Sequence, residues 1–476
     1  MDNQLNQNLN TADLNGIHEY SELLSDILKF RARGEVPMAL VRTYGCQQNV
    51  ADSEKLKGML KEMGCDFTED ENEADIIIFN TCAIREHAED RVFGNVGALK
   101  NIKRRHPSLI IALCGCMMEQ EHIAERIYKS FSFVSLVFGT HEIHNFPKLL
   151  YSTITENHRI VARGNDDGII HENIPTLRDG TFKGWLSIMY GCNNFCTYCI
   201  VPYVRGRERS RSIENIVDEV RQAVAKGYKE FTLLGQNVNS YGKDFGVKDQ
   251  FAKLLRRVNE IPGVERIRYM TSHPRDMHED VIKAVAECEH ICENFHIPFQ
   301  SGSNKILKAM NRGYTREKYL ELVAMIRRYV PEAAITTDII VGFPGETEAD
   351  FNDTLNLVKE VGFDAAFTFI YSKRSGTPAA AMEEQVPLEI KKARLNLLME
   401  AQNISSLQRN EALVGKTLEV LAEGPSNNNN KVWSGRTRTN KLVLWPVEGR
   451  DFELGDKVQV QIETAQTWLL KGKAVE

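Results

Sequence analysis

Between residues 184 and 371 the chain repeats one pattern six times: a short apolar run, then a stretch with helical periodicity. The runs fall at 184–191, 231–234, 267–271, 295–299, 335–341 and 365–371. Apolar residues recur at helical spacing between them, as in 213–225 and 318–329, so those stretches read as amphipathic helices. Parallel strands cannot be joined by a tight turn, and a helix is the usual crossover. Six such units predict a (β/α)6 partial barrel with its chemistry at the carboxyl ends of the strands.

The first of the six runs delivers Cys192-Asn-Asn-Phe-Cys196-Thr-Tyr-Cys199, three cysteines in CxxxCxxC spacing. Three thiolates on one short loop leave a fourth metal position open, and soft thiolates favour iron–sulfur clusters. The loop reads either as the seat of a cubane cluster with one open iron or as a structural zinc site completed by a distant ligand. Directly after it, Arg205, Arg207, Arg209 and Arg211 put four guanidinium groups into seven residues. At the mouth of such a site they suit substrate phosphate, although Glu208 and later acids offer them partners.

Upstream, over 37–154, short apolar runs again alternate with helix-like stretches, the pattern of a parallel α/β sheet. Three runs end alike: the first leads into Cys46, the second into Cys82, the third through Gly115 into Cys116. Loops leaving the carboxyl ends of parallel strands share one edge, so three cysteines placed one per loop converge into a second three-thiolate site. The alternative for each is a buried small hydrophobe, the reading that suits Cys65 and Cys114. Asn49, Asn80 and Thr81 beside the three are either donors to sulfur or ordinary turn and cap residues. Residues 1–36, rich in Asn, Gln, Leu and acids, read as a flexible extension with one possible helix over 20–30, and 156–180 as a linker or crossover. Cys288 and Cys292 stand four apart in a helix-like stretch, on one helix face.

From 413 to 476 the pattern turns all-β, with strands expected near 417–421, 441–445, 457–462 and 467–470 and a polar turn from Ser426 through Asn430. This predicts a small barrel. Its 9 basic and 8 acidic residues nearly balance. RNA binding there would rest on Arg436, Arg438 and Lys441, with Trp433 either a stacking platform or a barrel-stabilising residue. The whole chain carries a formal net charge of −6, with 42% hydrophobic and 26% charged residues. That composition is ordinary for a soluble protein and gives no global attraction to nucleic acid, DNA included. No leader and no long apolar run is expected, so membrane insertion is not supported and the cytoplasm is the default. The ten cysteines read as reduced thiols rather than disulfides.

These residues carry a resemblance. The CxxxCxxC loop resembles the cluster motif of radical S-adenosylmethionine (SAM) enzymes. YGCQQN at 44–49, NTCAIRE at 80–86 and CGCM at 114–117 look like the three ligand motifs of the methylthiotransferase family. The likeness covers about 37–476, ending in a segment similar to the RNA-binding TRAM domain. It implies two [4Fe–4S] clusters, one on Cys192, Cys196 and Cys199, whose open iron chelates SAM's methionine, and an auxiliary one on Cys46, Cys82 and Cys116. It implies SAM contacts from Tyr198, Gln236, Ser272, Gln300 and Asp338 at the strand ends, and substrate RNA contacts from Arg205, Arg207 and Arg209. The segment 342–346 is similar to one that lines the adenosine pocket; alone it reads as a turn. The segment 309–316 also matches the family, without a role the sequence supplies.

The implied activity attaches a methylthio group to an unactivated carbon, through a 5′-deoxyadenosyl radical made from one SAM and a sulfur methylated by another. Family substrates are adenosine 37 of tRNA bearing an N6-isopentenyl or N6-threonylcarbamoyl group, or a ribosomal-protein aspartate. YGCQQN, NTCAIRE and VPYVRGRERSR look most like the members acting on isopentenyladenosine. Implied partners are that tRNA and an electron donor such as flavodoxin or ferredoxin. A non-catalytic RNA-binding protein with structural zinc is the alternative from a different class, and would be colourless where the enzyme is brown.

Overall fold

A computed structural model describes residues 2–83, 86–164, 169–426 and 429–475. Ile84 and Arg85 of NTCAIRE, and Asn427 and Asn428 of the expected polar turn, lie outside the described residues. The chain forms two compact units: 1–180 with 185–193 and 199–211, and 181–184 with 194–198 and 212–476.

The first unit is built on a six-stranded parallel sheet. Its strands are β1 (Met38–Thr43), β2 (Asp66–Phe67), β3 (Ile76–Thr81), β4 (Ile110–Gly115), β5 (Leu136–Phe138) and β6 (Ile160–Ala162), in the order β2-β1-β3-β4-β5-β6. The helices are α1 (Asp2–Arg31), α2 (Gln47–Glu62), α3 (Glu86–Arg105), α4 (Glu121–Ser130) and α5 (Phe146–Thr155). Successive strand residues point to opposite faces, and both faces are covered. Ile76 and Ile78 pack with Leu56, Met59, Phe146 and Leu150, whereas Ile77 and Phe79 pack with Val92, Val96 and Ile127.

Two expectations need correction here. The segment read as a flexible extension is mostly the long helix α1, and its Ile17, Leu24 and Leu28 join the core beside α2 and α5. Few apolar positions carry that packing among the described residues, with Tyr20 packing beside them against Tyr151, which is why the segment looks too polar to dock. The stretch read as a linker contains β6, which pairs with β5.

After β7 (Lys183–Ser187), β8 (Met189–Tyr190), α6 (Val201–Val204) and β9 (Arg209–Ser210), helices and strands alternate, with two helices between β12 and β13. The order is α7 (Ile213–Ala225), β10 (Glu230–Leu234), α8 (Gln250–Asn259), β11 (Arg266–Tyr269), α9 (Glu279–Glu287), β12 (Asn294–His296), α10 (Asn304–Ala309), α11 (Arg316–Tyr329), β13 (Ala334–Val341), α12 (Glu348–Val361), β14 (Ala365–Ile370) and α13 (Leu388–Glu411). Strands β10 and β11 pair in parallel, as do β12, β13 and β14. The two groups are joined by Ile267, whose N–H donates to His290 O at 2.7 Å and whose carbonyl accepts from Cys292 N–H at 2.9 Å. α9 ends at Glu287, so Cys288 and Cys292 do not share a helix face: Cys288 caps the helix and Cys292 continues the sheet.

The chain closes with a five-stranded barrel of β15 (Thr417–Ser426), β16 (Asn429–Thr437), β17 (Leu442–Pro446), β18 (Lys457–Ala465) and β19 (Leu470–Ala474), ordered β15-β16-β17-β19-β18. Val420, Val443, Trp445, Val460 and Leu470 fill it. The sequence reading missed β16, whose polar start looked like a turn, and began the last strand too early; Trp468 sits outside it, 61% exposed. Among the described residues no helix is long and apolar enough to cross a membrane.

Candidate functional site

Strands β1, β3 and β4 are neighbours, and Cys46, Cys82 and Cys116 leave their carboxyl ends. Two glycines allow the close approach. Gly45 has φ +125°, and a Cβ there would come within 2.9 Å of Cys82 Sγ. Gly115 has φ +95°, and a Cβ there would meet Thr81 N at 2.7 Å. Neither position tolerates a side chain without moving a cysteine loop.

Asn49 ties the loops together. Its Nδ2 donates to Tyr44 O at 3.3 Å, Asn80 Oδ1 at 3.2 Å and Thr81 O at 2.9 Å. Its Oδ1 accepts from Cys46 Sγ at 3.5 Å and lies 3.9 Å from Cys116 Sγ. Asn80 Nδ2 donates to Asn49 O at 2.8 Å and Ser53 Oγ at 3.0 Å, and Thr81 Oγ1 to Cys114 O at 2.6 Å. Asn80 and Thr81 thus brace the loops through Asn49, Ser53 and the Cys114 carbonyl.

A charged donor to sulfur is Arg205, which the sequence reading gave to RNA. It is buried, with Nε 3.0 Å from Cys116 Sγ and Nη2 2.8 Å from Asp52 Oδ2 and 3.1 Å from Asn49 Oδ1. That occupied fork cannot also meet a phosphate. Burial works against its charge, but Cys116, Asp52 and Cys46 outweigh it and raise the guanidinium well above its ordinary value. A hydrogen bond from Cys82 lowers Cys46 to about 6 despite burial, with Arg205 assisting, whereas burial pushes Cys116 up to about 12. Arg211 is likewise buried, paired with Glu172 at 2.6 Å. Arg207 is exposed, and Arg209 is half-buried with Nη2 3.5 Å from His141 Nδ1.

Among the described residues no three of His, Cys, Asp and Glu gather closely enough to ligate one ion. A cubane asks less, because each thiolate binds its own iron. Three soft thiols at adjacent strand ends, with a buried cation to balance their charge, fit such a cluster.

Each part of the CxxxCxxC loop has partners in its own unit. Asn193 N–H donates to Glu208 Oε1 at 3.1 Å. In the second unit Thr197 donates through N to Met310 O at 3.1 Å and through Oγ1 to Ala309 O at 2.9 Å, and Asn311 Nδ2 donates to Phe195 O at 3.1 Å. Arg312, buried, places Nη1 3.4 Å from both Cys196 Sγ and Tyr198 OH and donates from Nη2 to Pro298 O at 2.8 Å. The segment that had no role in the sequence therefore clamps the cysteine loop.

Of the expected SAM contacts, Gln236 follows β10, Ser272 follows β11 and Gln300 follows β12, whereas Asp338 lies in the middle of β13 and not at its end. Gln300 N–H donates to Asp338 O at 2.9 Å, linking two of them, and Ser272 N–H donates to His296 O at 3.3 Å. Thr271 and Gln300 hold left-handed backbone, φ +69° and +67°, uncommon for such side chains and costly enough to mark a functional position. Ser272 Oγ and Gln300 Oε1 are buried with no hydrogen-bond partner in the protein, as expected where a polar ligand supplies one. In 342–346, Glu346 accepts from Gly342 N–H at 2.8 Å and pairs with Arg394 at 2.7 Å, which fixes the turn.

In the barrel, Arg438 grips Glu293 with contacts of 2.6 and 2.9 Å, and Lys441 pairs with Asp364 at 2.7 Å. Arg436 remains half-exposed, and Trp433 packs on Phe452 with ring centres 5.6 Å apart. The partners of Arg438 and Lys441 lie far away in sequence, so their pairing left no local signal.

Three families match the chain: the uncharacterized protein family UPF0004 over 38–139, the radical SAM superfamily over 186–358 and the TRAM domain over 411–475. The tRNA-2-methylthio-N(6)-dimethylallyladenosine synthase of Acetivibrio thermocellus is 54% identical over 442 residues, 93% of this chain and 92% of the relative. A synthase of the same name from Clostridium botulinum (strain Okra) is 51% identical over 471 residues, 99% of this chain and 100% of the relative. Among solved structures, the radical S-adenosylmethionine methyltransferase TsrM of Kitasatospora setae, with cobalamin and a [4Fe-4S] cluster bound, aligns with TM-score 0.53 at 12% identity, over 73% of this chain and 77% of that one. That likeness is one of fold.

Proposed function

Because the chain belongs to the family of tRNA-2-methylthio-N(6)-dimethylallyladenosine synthases, radical SAM methylthiotransferases, we propose that it converts N6-(dimethylallyl)adenosine at position 37 of tRNA to its 2-methylthio derivative. The observation that carries this reading is the second cysteine site: cleaving SAM needs the CxxxCxxC loop alone, and Cys46, Cys82 and Cys116 add the place for a sulfur donor.

Cys192, Cys196 and Cys199 hold one [4Fe–4S] cluster and Cys46, Cys82 and Cys116 the other. Bound there, the clusters supply the electron that opens SAM and the sulfur for the methylthio group. Every other contribution belongs to side chains. Arg205 offsets the negative charge of the auxiliary thiolates, and Arg312 fixes Cys196 and Tyr198 in one hydrogen-bond set. Ser272 Oγ and Gln300 Oε1 offer SAM the hydrogen bonds they lack in the protein, with Gln236 and Asp338 beside them. Arg207, Arg209 and Arg436 meet the phosphates of the tRNA, whereas Arg438 and Lys441 hold the barrel in place. Flavodoxin or ferredoxin is the electron donor, and the cytoplasm, where tRNA is modified, the location.

The test is mass spectrometry of tRNA nucleosides after anaerobic incubation of iron-reconstituted protein with SAM, a strong reductant and tRNA bearing isopentenyladenosine. The expected result is a gain of the methylthio group, lost on Cys46→Ala or Cys192→Ala. Formation of 5′-deoxyadenosine with the tRNA unchanged would move the substrate to threonylcarbamoyladenosine or a ribosomal protein. A colourless, iron-free product indifferent to SAM would replace the enzyme with a zinc-holding RNA-binding protein.

A further inference from the structure

Parallel sheets are normally covered on both faces, but the sheet of β12, β13 and β14 is not. Along β13, Ile335, Thr337, Ile339 and Val341 are buried, while Thr336, Asp338 and Ile340 alternate with them and are partly exposed. The register pairs His296 with Thr336, Asp338 with Phe367 and Ile340 with Phe369, so these side chains share the open face. On that face Phe367 is 58% and Phe369 39% exposed. Two neighbouring phenylalanines left in water on one strand are the kind of apolar patch that marks a binding site.

The patch has a polar end. His296 Nε2 lies 3.5 Å from Asp338 Oδ1, its Nδ1 lies 3.0 Å from Thr336 Oγ1, and its ring stands edge-on to Phe367 with centres 5.9 Å apart. The apolar end is continuous with the cysteine loop, since Ile340 and Tyr198 pack against one cluster of buried residues that includes Met310 and Tyr371. A ligand lying here would touch aromatic edges, then a hydrogen-bonding pair, within reach of the side chain beside Cys199.

A dimethylallylated adenine has those two ends: a branched five-carbon group without polar atoms, and a flat ring with hydrogen-bonding edges. We infer that the open face of β12–β14 is the pocket for this base, with Phe367 and Phe369 receiving the dimethylallyl group and His296, held by Thr336, addressing the ring. The inference rests on the substrate proposed above and says which residues select it. Phe367 and Phe369 are specificity-determining residues: they distinguish the prenylated base from plain adenine. Contact with five carbons is ample for tenfold discrimination, as about 0.8 kcal/mol accompanies each buried CH2.

The experiment compares binding of the holoenzyme to two anticodon stem-loop RNAs that differ only in the dimethylallyl group, for the natural protein and for Phe367→Ala/Phe369→Ala and Phe367→Leu/Phe369→Leu. Both residues are exposed, so neither replacement endangers the core. The natural protein is expected to prefer the dimethylallyl RNA. The alanine pair should shrink that preference at least tenfold, by weakening the dimethylallyl RNA far more than the plain RNA, and the leucine pair should keep most of it. An undiminished preference in the alanine pair overturns the inference. So does an equal loss for both RNAs, which makes the patch a general RNA contact, or a selective loss of SAM affinity, which gives it to the cofactor. Methylthio product from the natural protein, scored in parallel, separates these failures from failure of the substrate itself: without product on the dimethylallyl RNA, both readings fall.

Discussion

The Arg205–Asp52 pair offers the sharpest test of how the auxiliary cysteine site is held. Both side chains are almost fully buried, 5% and 3% exposed, and their charged atoms are 2.8 Å apart. Arg205→Met keeps most of the aliphatic stem but leaves a buried carboxylate without its partner. Breaking a buried pair from one side costs about 3–5 kcal/mol. Lys55, which also senses the Asp52 charge, holds the figure near the lower end, about 3 kcal/mol. Asp52→Asn in the same chain removes the stranded charge, so the double variant should recover roughly half the loss. Hydrogen–deuterium exchange of the holoprotein, read by mass spectrometry, resolves the effect locally. Peptides covering β1, β3 and β4 should exchange roughly 100-fold faster in Arg205→Met, at about 1.4 kcal/mol per factor of ten. Unchanged exchange, or a double variant equal to the sum of the singles, would refute the claim that the pair is a coupled unit.

Gly45→Ala should place a methyl group against Cys82 at a backbone angle that favours glycine; iron analysis should fall from about eight per chain toward about four, with the CxxxCxxC cluster kept. His273 is pushed down to about 2 by burial, with Arg312, Arg275 and Lys243 adding to the effect. Its folded form therefore refuses a proton that the unfolded chain takes up below its ordinary value of 6.5. Stability should fall as pH drops below that point, by about 1.4 kcal/mol per pH unit, and denaturant titrations of His273→Gln should lose that one-proton slope. Arg436→Gln should weaken tRNA binding and reduce its salt slope by about one, whereas Arg438→Gln should loosen the barrel, seen as a lower thermal midpoint, with the salt slope intact.

The sequence discloses its fold where a physical rule maps local pattern onto space. Apolar runs recurring at helical intervals can only pair in parallel, so the cysteines after β1, β3 and β4 had to meet at one edge, although residues 46, 82 and 116 are distant in the chain. The same rule put Gln236, Ser272 and Gln300 after consecutive strands. Partners of charges are another matter. Nothing near Arg205 announces Asp52, and nothing near Arg312 announces Cys196, which is 116 positions away. A run of arginines looks alike whether it faces phosphate or a carboxylate from a distant helix. Strand β16 escaped notice because two asparagines and a lysine make its start polar, and its pairing is made by backbone groups that every residue has.

Helix α1 bears on how the protein can be handled in the laboratory. Trimming the gene at residue 37, where sequence composition invites a cut, would strip Ile17, Leu24 and Leu28 from α2 and α5 and leave an oily trough on the sheet domain. Such a shortened protein should precipitate or pair with itself during purification, and a low iron yield from it would report poor solubility, not a defect in the cysteines.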